Sequence, residues 1–142
     1  MYFKKTVLLL GSALVLLMAL ACPTSKNGTL PIGYVDTKPD STVTGGSRLS
    51  FQGWAISEDG ISKVCLFTDR RLVKCTEEIG IGTGRPDVQK AYPAVSGASK
   101  SGWLIEIDSN DLLPGSHEFL IQAASKKGSS RDIGAINVNV VK

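Results

Sequence analysis

The stretch Arg48–Glu78, "RLSFQGWAISEDGISKVCLFTDRRLVKCTEE", decides the fold. Its first third alternates: Leu49, Phe51 and Gly53 fall on one face, Ser50 and Gln52 on the other. A period of two marks a strand that buries one face and wets the other. Glu58-Asp59-Gly60 has turn chemistry, and "ISKVCLFT" then puts Val64 and Leu66 together on one face. Asp69-Arg70-Arg71 reads as a second turn, three residues long, after which "LVKCTEE" runs back.

The same text continues to the end of the chain. "GWLIEID" places Trp103, Ile105 and Ile107 on one side, and "SNDLLPG" turns. "SHEFLIQAA" offers Phe119, Ile121 and Ala123, and "SKKGSSRD" turns again. "IGAINVNVV" sends Ile136, Val138 and Val140 inward, Asn137 and Asn139 outward. No window carries helical periodicity. Short alternating strands between Gly, Pro and Asp turns predict an all-β chain, an antiparallel sandwich or barrel of about seven strands.

A three-residue loop at Asp69–Arg71 would set Thr68 against Leu72, Phe67 against Val73 and Cys65 against Cys75. Side chains directly opposite on antiparallel strands lie ~4.5–5.5 Å apart at Cβ, within reach of a disulfide. A Cys65–Cys75 bridge is therefore expected. A metal pair is the poorer reading, because two thiols and one distant His117 do not make a zinc site.

The first residues speak of export. "MYFKK" is a short basic region, "TVLLLGSALVLLMALA" is uncharged and apolar, and Ala19 and Ala21 precede Cys22. That is the anatomy of a signal peptide over residues 1–21. Cleavage at Ala19-Leu20-Ala21 suits ordinary secretion or release to the periplasm. The placement of Cys22 resembles the lipobox of bacterial lipoproteins, although Ala19 holds the place where that pattern prefers Leu. By that resemblance Cys22 is lipidated and is the membrane partner of the protein, and Pro23 in place of Asp implies the outer membrane in a two-membrane bacterium. Pairing Cys65 with Cys75 leaves Cys22 as the odd cysteine, which lipidation explains. Residues 22–30 then form the lipidated end and a polar tether, and residues 31–142 the domain.

Loss of the leader takes Lys4 and Lys5 with it, so 16 basic residues become 14 against 13 acidic ones. The basicity is partly a targeting feature, and no nucleic-acid partner is implied. Removing 21 residues from 142 leaves 121, enough for one core.

"PIGYVDTKPDSTVTGG", "GWAISEDGISKVCLFTD", "GRPDVQKAYP" and "SGWLIEIDSNDLLPGSHEFLIQAASKKG" together resemble the immunoglobulin-like β-sandwich modules of bacterial surface and secreted proteins. The likeness runs from about Pro31 to Val141. It rests on Gly53-Trp54-Ala55, Gly60-Ile61, Arg85-Pro86-Asp87-Val88, Tyr92-Pro93 and Leu113-Pro114-Gly115-Ser116-His117. It implies an immunoglobulin-like antiparallel sandwich and a role as spacer, adhesin or accessory binding module. Cys65 and Cys75 depart from the general pattern.

The segment "IGIGTGRPDVQKAYP", Ile79–Pro93, is the candidate site. Gly80, Gly82 and Gly84 suggest a phosphate loop, but Arg85 stands where a dinucleotide fingerprint wants glycine, and no helix is expected beside it to supply amides. A connection from about Glu77 to Ser101 exceeds the ~12–15 residues common for structureless loops, so it carries either function or hidden structure. Arg85 and Asp87 are expected to pair across a turn set by Pro86, with Tyr92 packed over the domain edge. By the resemblance, these three hold the crossover between the sheets.

No catalytic residue is expected. His117 is the sole histidine and reads as a rim residue hydrogen-bonding a loop, and no Ser or Cys sits in a nucleophile motif. Asp108, Asn110 and Asp111 lack the EF-hand spacing, so no metal and no cofactor is expected. Arg70-Arg71 and Lys126-Lys127 with Arg131 should lie at opposite ends as solvated turn tips. The chain reads as a non-catalytic, lipid-anchored envelope protein whose protein or glycan partner meets the 77–101 loop or a sheet edge. The alternatives are a structural envelope protein or assembly subunit and, less favoured, a small secreted hydrolase.

Overall fold

A computed structural model describes residues 28–81 and 84–142. The leader, Cys22 and most of the tether, and Gly82 of the candidate loop, lie outside the described residues. Among the described residues eight strands form two sheets: β1 (Ile32–Thr37), β2 (Thr42–Thr44), β3 (Arg48–Ile56), β4 (Ile61–Thr68), β5 (Arg71–Thr76), β6 (Gly102–Asp108), β7 (Gly115–Ser125) and β8 (Ser130–Val141). One sheet has the order β1-β3-β6, the other β2-β8-β7-β4-β5.

The alternation read in Arg48–Glu78 sorts side chains as expected. Leu49, Phe51, Trp103 and Ile105 of the small sheet face Val64, Leu66, Phe119, Ile121, Val138 and Val140 of the large one, all buried. Phe51 and Phe119 meet across the interface with ring centroids 5.1 Å apart, tilted by 57°, an arrangement aromatic pairs favour. Gly53 is needed on the inner face. A Cβ there would overlap the Tyr34 carbonyl of β1 and come within 2.9 Å of Trp103 Cζ2.

The expected count of about seven strands becomes eight because of β2, which pairs in parallel with β8 through Thr42, Val43 and Thr44. After β1 the chain crosses at Lys38-Pro39-Asp40 from the small sheet to the large one. Three residues are too few for an alternation to be legible.

The β4–β5 turn also differs from the expectation. Only Asp69 and Arg70 form it, with φ of 50° and 63°, and Thr68 pairs with Arg71. Two consecutive left-handed residues make the turn whose twist matches a hairpin. The register slips by one residue at Val73, and this bulge brings Cys65 opposite Cys75 after all. The disulfide is present, with an S–S distance of 2.02 Å.

The long connection is not structureless. It contains a helix, α1 (Pro86–Ala91), and a 3-10 turn at Ala98–Lys100. The expectation that no helix follows Gly84 fails here. Pro86 starts the helix and Asp87 sits in its first turn, both ordinary N-terminal signals. Six residues are too short to show a 3.6-residue period, and a helix so short holds only by tertiary contact. That contact is Val88, packed with Ile56 and Ala98 in a second apolar cluster.

At the other end of the connection order, Gly28 and Thr29 are already docked on the domain. The Ser129 hydroxyl donates to the Gly28 carbonyl at 2.9 Å, and the Thr29 amide donates to Asp59 at 2.6 Å.

Candidate functional site

The 77–101 connection lies on the outer face of the small sheet. Trp54 and Ile56 alternate outward on β3, opposite to Gly53 and Ala55, yet Ile56 is buried because α1 covers it. Backbone bonds fasten the cover: the Arg85 amide donates to Ser99 O at 2.8 Å, and the Gly80 amide to Gly102 O at 2.7 Å. The Gln89 side-chain oxygen accepts from the Ser99 amide at 3.2 Å, closing α1 onto the 3-10 turn.

Arg85 is the clamp. Its Nε and terminal nitrogen donate to the two Asp87 oxygens at 2.9 and 2.7 Å, and its other terminal nitrogen donates to Asp36 of β1. A bidentate fork of this kind is strong and directional. The Arg85 side chain is only 18% exposed. Its hydrogen bonds push the Asp87 carboxyl down to about 2. The same bonds, those to Asp87 first, hold the guanidinium above its ordinary value against partial burial. All three guanidinium nitrogens of Arg85 donate to carboxylates of the same domain, so Arg85 and Asp87 serve to position the loop. Tyr92 packs on Trp54 with ring centroids 5.7 Å apart.

The structure thus brings Arg85, Asp87 and Tyr92 together and adds Asp36, Tyr34 and Trp54, which sequence reasoning did not place in the site. Tyr34 and Trp54 are register partners on β1 and β3. Tyr34 is 61% exposed, and Trp54 is half-buried between it and Tyr92. Further along the same outward face stand Gln52, Leu104, Ser50 and Glu106, with Gln52 beside Leu104 and Ser50 beside Glu106 in register. The face is aromatic at one end and largely polar at the other. A signal for it existed: once Gly53 faces inward, Trp54 must face outward, and a tryptophan on a solvent face is unusual.

The remaining candidates have structural partners. His117 is 9% exposed at the inner rim, and its Nε2 lies 2.7 Å from the Leu113 carbonyl. Its Nδ1 lies 3.5 Å from an Asp69 oxygen and makes no hydrogen bond. The Asp108 side chain accepts from the Asn110 amide at 2.8 Å at the start of a 3-10 turn, Ser109–Asp111, so these residues shape a turn. Among the described residues no group of three or more His, Cys, Asp or Glu is placed to hold a metal. Ile61 pairs with Ser125 and Thr68 with Phe119, so the Arg70-Arg71 and Lys126-Lys127 turns do lie at opposite ends.

No family model matches the chain. Among solved structures, it is similar to fibronectin(III)-like modules of CbhA from Clostridium thermocellum, with a TM-score of 0.47 and 16% identity over 79% of this chain and 46% of that one. It is similar to an endo-β-1,4-mannanase from Thermotoga petrophila, with a TM-score of 0.50 and 11% identity over 79% of this chain and 20% of that one. A CARDB domain from Pyrococcus furiosus is matched with a TM-score of 0.45 and 13% identity, over 80% of this chain and 97% of that one. The chain thus spans less than half of the first two. The two-sheet strand order gives the fold: the chain is an immunoglobulin-like β-sandwich.

Proposed function

We propose that the protein is a non-catalytic accessory module, lipid-anchored at Cys22 on the cell envelope, that binds an extended glycan on the outer face of its small sheet. The observation that carries the binding role is Tyr34, exposed beside Trp54 on an outer face bordered by α1 and the Arg85 clamp. Aromatic rings offer a face to the C–H side of a sugar ring, and Gln52, Ser50 and Glu106 supply hydrogen-bonding groups along the same direction. Rigid aromatic anchors lose little entropy on binding. The non-catalytic part of the reading is supported by His117, the sole histidine, whose Nε2 is committed to Leu113. The anchor is supported by the leader and by the placement of Cys22.

Affinity electrophoresis through gels containing soluble mannans, glucans, xylans or envelope glycans tests it. At least one polymer should retard the protein, and Tyr34→Ala should abolish the retardation without lowering the melting temperature. No retardation in any gel, or retardation indifferent to Tyr34→Ala, would refute the proposal.

The assembly-subunit reading has one observation in its favour. Leu72 is 58% exposed and pairs with Phe67, which pairs with Leu120, all on the outer face of the large sheet. Sedimentation of the lipidated protein in detergent would reveal a stable complex if that reading is right.

A further inference from the structure

We infer that the end of the sandwich formed by the Ser57–Gly60 and Lys126–Ser129 turns faces the bilayer, resting on it through lipid headgroups. The inference rests on the lipid anchor at Cys22 proposed above. It starts from where the described chain leaves the domain.

Gly28 and Thr29 are latched to this end. The Thr29 amide donates to one Asp59 oxygen at 2.6 Å, and Lys127 Nζ pairs with the other at 2.7 Å. The Ser57 hydroxyl donates to the Thr29 carbonyl at 3.1 Å and the Ser129 hydroxyl to the Gly28 carbonyl at 2.9 Å. A side chain at Gly28 would meet Ser129 Oγ at 2.5 Å and Lys127 Cβ at 3.1 Å, so the latch needs this glycine. Beyond exposed Leu30, Pro31 is buried.

Six peptide units separate Cys22 from Gly28. Fully extended they reach about 20 Å. Strand β7, with 11 residues, runs the length of the sandwich, and such a strand is about 36 Å long. The tether is therefore shorter than the domain. An inverted domain, with the Asp69-Arg70 turn and the Leu113 loop on the membrane, would need a tether longer than the chain supplies. The latched end also carries exposed Lys100 and Lys126, and Leu30 there is 56% exposed. Lysines near an anionic headgroup layer are attracted to it, and the Asp59 charge is already met by Lys127. Glu58 of the same turn and Glu77 and Glu78 after β5 are the exposed acids of this end, so the short tether rather than the charge sets the orientation. In this orientation the outer face with Tyr34 runs along the side of the domain, open to an envelope polymer.

The test uses lipidated protein in nanodiscs that contain anionic lipid and a gadolinium-chelate headgroup lipid, read by paramagnetic loss of amide signals. Gly60, Lys100, Lys126 and Gly128 should lose most of their intensity while Arg70 and Leu113 keep theirs. Loss greatest at Arg70 and Leu113, or uniform loss, would overturn the inference. Intact mass tests the anchor separately. Were Cys22 unmodified, coupling it to a maleimide phospholipid would still measure the orientation, since the oxidised Cys65–Cys75 pair does not react.

Discussion

Replacing both Cys65 and Cys75 by Ala should lower the stability of the domain by about 3 kcal/mol, most of it through the unfolded chain. The bridge joins residues 10 apart in sequence. Closing a loop of that size removes chain entropy equivalent to about 2.8 kcal/mol at ~25 °C. Loss of the half-buried sulfur contacts adds a smaller amount. The consequences are also local. Strand β5 ends its sheet and is held by β4 on one side, while Lys74 Nζ reaches over to the Glu106 carbonyl of β6 at 2.9 Å. Without the bridge, β5 should open before the rest of the sheet. The assay is urea unfolding of the mature chain carrying Cys22→Ser, with and without the double substitution, alongside hydrogen exchange of β5. With a slope of ~1.5 kcal/mol per molar urea, the midpoint should fall by about 2 M. Amides of β5 should exchange faster while those of β7 follow the global stability. An unchanged midpoint would refute the entropic reasoning, because it would mean that the unfolded chain already holds this hairpin closed. A loss above ~5 kcal/mol would refute it from the other side, by making packing the main term.

Three further outcomes follow from the geometry. Val88→Ala removes two buried methyl groups beneath α1 and should cost about 2 kcal/mol; chemical denaturation measures it, and a cost near zero would mean that the loop cover contributes nothing to the fold. Gly53→Ala pushes a methyl into the Tyr34 carbonyl and against Trp103, so a loss of about 3 kcal/mol or more is expected in thermal unfolding; a native-like melting temperature would contradict the close approach of β1 and β3. Because Arg85 holds the Asp87 carboxyl near 2, below its ordinary value, the stability from this pair is present above about pH 4 and lost as pH falls from there toward 2. Asp87→Asn should therefore flatten the acid limb of a melting-temperature profile, and an acid limb identical to that of the parent would rule the pair out as a contributor.

Much of the fold was legible because one physical signal repeats along the chain. Leu49 and Phe51, Val64 and Leu66, Trp103 and Ile105, Phe119 and Ile121, Val138 and Val140 recur at every second position, and all of them are core. Alternation forces the sheet face whatever the topology, so it survives without any knowledge of neighbours. The turn after Thr68 was read one residue too long, since Asp-Arg does not announce a left-handed pair as Asn-Gly would. Strand β2 and helix α1 were missed for a shared reason: neither is long enough to complete two periods of its pattern.

The candidate site divides in the same way. The Arg85–Asp87 pair is two residues apart and was readable from local chemistry. Asp36, 49 residues away, was not, and neither was the meeting of Tyr34, Trp54 and Tyr92. By itself the sequence determined the strand faces and the partner of Cys65, because period and spacing are properties of neighbours along the chain. Only the tertiary structure decided which outward faces are covered and which stay open. Ile56 lies under α1 while Tyr34 beside it is bare, and that difference comes from where a 25-residue connection folds back, between Glu77 and Ser101. Long-range packing sets it, at separations where no periodicity in the sequence reaches.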